Sequence, residues 1–88
     1  MDDQPQLFPI LDRLIGRWCD RRELGSLRVL LQGYPLVSPL SDGWHELRRA
    51  LQTIRVSGRD TLPPTELEEV STALRLVERA LREAGQLP

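Results

Sequence analysis

Few side chains in this sequence are suited to acid–base or nucleophilic chemistry: one histidine (His45), one cysteine (Cys19), one tyrosine (Tyr34) and no lysine. Either kind of catalysis needs a tunable group beside a partner that activates it. Glu46 follows His45 directly, but successive helical side chains diverge by about 100°, so Glu46 is not a natural orienting partner. Cys19 falls on the apolar side of an amphipathic segment and is expected as a small core residue. A structural zinc takes four Cys or His ligands, and this chain offers two, far apart in sequence. A di-iron bundle requires Glu-x-x-His, which does not occur, and there is no glycine-rich phosphate loop or dinucleotide fingerprint. The expectation is a non-enzymatic protein without cofactor or metal.

Binding chemistry is better supplied. Arg13, Arg17 and Arg21 recur at i,i+4 and could form a basic ridge, with Arg22 and Arg28 nearby. Residues 12–28 also carry Asp12, Asp20 and Glu23, so the local surplus is two charges, small for phosphate-driven affinity. Nucleic-acid binding along this ridge is therefore an alternative and not the leading expectation. Tyr34 lies between Gly33 and Pro35, with Leu36 and Val37 following and Trp44 and His45 a few residues on. Tyr and Trp dominate interface hot spots, so Tyr34, Leu36, Val37, Trp44 and His45 are the candidate partner-binding residues. Tyr34 is expected foremost as a lid over one end of the core.

The 88 residues are 40% hydrophobic and 28% charged, with a net charge of −1, a composition for one foldable domain and not for a disordered chain. All twelve basic residues are arginine, which fits a GC-rich, bacterial genome. The absence of a basic apolar leader and of a cysteine pair predicts a cytoplasmic protein.

Apolar periodicity supplies the elements that would position these residues. Leu7, Leu11, Leu14 and Trp18 trace a helix over about 7–19, with Pro9 expected in its first turn. Asp20 and Glu23 have capping-box spacing, and the frame behind Trp18 turns polar. A second helix over 21–32 would bury Leu24, Leu27, Leu30 and Leu31, closed by a left-handed Gly33; one bent helix over 7–32 is the competing reading. Leu40, Trp44, Leu47, Leu51 and Ile54 mark a third helix over 41–56, with Ser41 as N-cap.

Leu67, Val70, Leu74, Val77, Leu81 and Ala84 mark the fourth helix, over 64–84. Thr65 and Glu68 suggest its capping box, Glu78 and Arg82 an i,i+4 pair, and Gly85 a C-terminal cap. The prediction is an all-α, compact bundle of four amphipathic helices over residues 6–85, between loose tails at 1–5 and 86–88. Its expected role is to bind another protein, or a second copy of itself, through an apolar helix face or the Tyr34 loop. A small-molecule-binding bundle around Trp18, Trp44 and His45 is a further alternative.

Overall fold

The computed structural model describes residues 4–34 and 41–85. Four helices account for most of them: α1 (Gln4–Arg21), α2 (Leu24–Leu31), α3 (Ser41–Ser57) and α4 (Pro64–Glu83). There is no strand among the described residues. Each helix packs on two others: α1 against α2 and α4, and α3 against α2 and α4. The four apolar stripes thus close around one core. Leu7, Leu11, Leu14 and Trp18 of α1 meet Leu47, Leu51 and Ile54 of α3 and Val70, Leu74, Val77 and Leu81 of α4. Leu30 is the α2 residue buried with them.

α1 begins three residues before its expected start, so Gln4 and Pro5, expected in the tail, are helical. Pro9 accordingly lies inside the helix and beyond the first turn, where its ring removes one backbone donor. The longer helix carries Leu7 into the core. The chain then breaks into two helices and is not one bent rod. Arg22 takes a left-handed conformation (φ 59°), with its N–H donating to the Cys19 carbonyl and that of Glu23 to the Trp18 carbonyl. These are the paired bonds of a Schellman motif, built here without the glycine that usually signals it. The Asp20 capping box is not formed: Glu23 occupies the N-cap position of α2 with no side-chain cap, and its carboxylate accepts a bond from the Ser26 hydroxyl.

Gly33 ends α2 without a left-handed turn. It is buried against α3, where a Cβ atom would stand 2.6 Å from the Leu47 Cα. Its role is to permit close approach of two backbones. The expected Thr65–Glu68 box is likewise replaced by Pro63 at the N-cap and Pro64 in the first turn of α4. Gly85 does take the left-handed conformation after α4, with φ at 77°. Glu78 reaches across to Arg48 of α3 at 3.2 Å, and Arg79 pairs with Glu83 along the helix. Leu36, Val37, Leu40 and the tails at 1–3 and 86–88 lie outside the described residues, as do the side chains of Ser41 and Asp42.

Candidate interaction surface

The interior polar hub lies where α1 ends against the start of α4. Trp18 is fully buried, so its indole N–H needs an acceptor. Glu66, 3% exposed, supplies one: its Oε1 accepts from Trp18 Nε1 at 2.8 Å and from Arg21 Nη2 at 2.8 Å, and its Oε2 from Arg21 Nη1 at 2.7 Å. The bidentate Arg21 bond holds the Glu66 carboxyl below the ordinary carboxylate range against the opposing effect of burial, with help from the Trp18 bond. The same bond raises the Arg21 guanidinium above its usual value. The hub locks the helix break to α4. It is structural, and nothing in its spacing distinguished Glu66 from its surface neighbours Glu68 and Glu69.

The arginine ridge is met by the same helix. Arg17 donates to Glu69 at 2.6 Å and Arg13 lies 3.6 Å from the same carboxylate. With Arg21 on Glu66, each arginine of the i,i+4 series faces a carboxylate of α4. A phosphate backbone approaching here would have to displace acids already in place. A cleft of about 560 Å³ beside these residues is lined by Arg13 and Arg17 on one side and by Glu66, Glu68 and Glu69 on the other. Its charge is mixed.

Tyr34 and Trp44 are joined through Phe8, which is not among the candidate residues. Phe8 stacks on Tyr34 with ring centroids 5.9 Å apart and lies 6.3 Å from Trp44. Both Tyr34 and Trp44 are half-buried and pack on the core, and the Tyr34 hydroxyl donates to Asp12 Oδ1 at 2.8 Å. This is the lid arrangement. His45 is half-buried on α3, and Cys19 is exposed, contrary to its expected place in the core. The α1 stripe rotates past Cys19 because Trp18 takes the inward position at the helix end. No side-chain hydrogen bond engages His45 or Cys19 among the described residues, and no group of His, Cys, Asp or Glu there could hold a metal ion.

Burial and the Asp12 bond push the Tyr34 phenol up to about 12. Tyr34 is the sole tyrosine, so phenolate absorbance reports it alone. Titration is expected to show a midpoint near 12, displaced toward 10.0 but not reaching it in Asp12→Ala, because burial is the larger cause. The neutral phenol contributes stability that is complete below pH 10.0 and lost as pH rises through about 12.

The unexpected surface is on α2. Ser26 and Leu30 face inward, one turn apart, and Leu27 and Val29 flank them. Leu24 and Leu31, both expected in the core, are 61% and 50% exposed. Leucines at 24, 27, 30 and 31 make this short helix apolar nearly all round, so periodicity could not choose its inner face. α2 borders only α1 and α3, leaving its outer side uncovered among the described residues. Leu24, Leu27, Arg28, Leu31 and Gln32 line a shallow groove of about 390 Å³ there. No helix among the described residues is long and apolar enough to cross a membrane. Comparison with protein-family models, with curated proteins and with solved structures finds no match to this chain.

Proposed function

We propose that this chain is a small, non-catalytic protein-interaction module of the cytoplasm that docks a partner on the outer face of α2. The observation that carries the reading is the exposure of Leu24 and Leu31 on one side of a helix. An apolar helix face left bare in water favours burial by a partner, and contiguous apolar surface of this kind marks interaction sites. The aromatic residues Tyr34 and Trp44 are largely committed to the core and to each other's neighbour Phe8, which moves the contact from the Tyr34 loop to the helix beside it. His45 and Cys19, without activating partners among the described residues, give little support to catalysis. A free exposed thiol at Cys19 fits a reducing compartment.

The test is site-specific photo-crosslinking in the source cells. A photoreactive side chain in place of Leu24 is expected to give a discrete covalent adduct with one partner, whereas the same group in place of exposed Arg75 of α4 gives none. Equal or absent adducts from both positions would overturn the reading. Adducts of twice the chain's mass would identify the partner as a second copy.

A further inference from the structure

Independently of the α2 docking reading, we infer that the turn between α1 and α2 is a strained hinge through which two copies of this chain exchange α1. The turn consists of Arg22 and Glu23. Arg22 holds the left-handed conformation at φ 59°, which is unfavourable for any residue with a Cβ atom. No glycine or proline lies between Arg17 and Leu24 to require a break there. The start of α2 has no side-chain cap either. A helical Arg22 would remove the strain and give the first N–H groups of α2 carbonyl acceptors in the last turn of α1. Local preference and folded structure disagree at this turn, and short hinges under strain invite exchange between copies.

Contacts made by α1 elsewhere hold the turn closed. Trp18 and Arg21 donate to Glu66, Arg17 to Glu69, and Asp12 accepts from Tyr34. With α2 kept on α3, a straight helix over 4–31 carries α1 away from its own α4. Such a helix is about 42 Å long, against 36 Å for the long axis of the molecule. The α4 of a second copy offers α1 the same partners. In the exchanged dimer each Glu66 accepts from Trp18 and Arg21 of the other copy, so the hub is completed only across the pair. Every core contact of α1 is remade once per chain, and two strained turns are relieved. The opposing term is the freedom lost on joining two chains, so concentration sets the balance.

Release of α1 opens much of the core, so the two forms interconvert slowly enough to separate by size. The test refolds the chain from urea at micromolar and at millimolar concentration and reads its mass by light scattering. A dimer is expected from the concentrated sample. R22G relieves the left-handed turn and weakens the straight helix in both chains. It is expected to raise the dimer's dissociation constant on the order of 100-fold. R22A keeps the left-handed penalty and is expected to leave the dimer in place.

A second measurement identifies the exchanged element. C19S/R17C and C19S/E69C chains, one carrying a mass tag, are refolded together and treated with a short bifunctional thiol reagent. Arg17 and Glu69 meet where α1 lies on α4, so exchange is expected to give the mixed covalent dimer in preference to either homodimer. Monomers at both concentrations, a dimer that R22G leaves unchanged, or a dimer without that preference would overturn the inference. None of these outcomes bears on the docking reading, which the Leu24 cross-links test separately.

Discussion

Replacing Glu66 with alanine is expected to lower the unfolding free energy by about 3 kcal/mol, read from urea denaturation followed by far-UV circular dichroism. Glu66 is a buried carboxylate with both oxygens occupied, and its removal leaves the Trp18 indole N–H buried without an acceptor. Arg21 is less affected because part of its side chain reaches water, which places the loss at the low end for a broken buried pair. A domain of 88 residues has about 4 to 13 kcal/mol in total, so the variant gives up roughly a quarter to three quarters of it.

Glu66→Gln separates the two bonds. The amide keeps an acceptor for Trp18 but points a donor group at Arg21, and about half the loss is expected. The pH dependence follows from the depressed Glu66 value. The ionised carboxylate's contribution is complete above its ordinary 4.5 and is lost as pH falls through the lower folded value. The wild-type urea midpoint should therefore drop in that acidic range, and the midpoint of Glu66→Gln should fall less steeply. Equal acid sensitivity in the two proteins would contradict the role of the hub.

Gly33→Ala is expected to cost about 2 kcal/mol, although the position, in the turn just past α2, is not left-handed and its backbone conformation is open to alanine. The added methyl would stand 2.6 Å from Leu47 Cα and 2.8 Å from both Leu47 N and the Glu46 carbonyl oxygen. All three are backbone atoms of α3, so no rotamer change relieves the clash; α2 and α3 must separate. Gly16→Ala is the matched control. Its methyl meets nothing within 4 Å on the exposed side of α1, and the substitution is expected to stabilise by about 0.5–1 kcal/mol. A loss at position 33 beside a gain at position 16 in the same denaturation experiment would place the cost in the contact between the two backbones.

The four helices were legible from the sequence because a stripe such as Val70, Leu74, Val77 and Leu81 encodes its own burial: side chains at that spacing share a face, and water drives that face against another. Gly85 was legible for the same kind of local reason, since the left-handed turn after a helix has one usual occupant. The break between α1 and α2 was located, but not its mechanism, because Arg22 adopts the left-handed turn that sequence statistics assign to glycine. The helix-four edge, which on its own could have served a second copy, is spent inside the chain.

What periodicity determined was which segments are helical and which of their edges are apolar, both properties of residues a turn apart. Tertiary structure alone decided three further matters. It chose Glu66 over Glu68 and Glu69 as the buried acid, because only that position meets the Trp18 N–H across 48 residues of chain. It turned Gly33 from a cap into a contact, because α3 arrives there. It also left Leu24 and Leu31 outside, because α2 has two helical neighbours and more apolar sides than they can cover. Each depends on which element comes to lie alongside another, and a one-dimensional pattern carries no record of that.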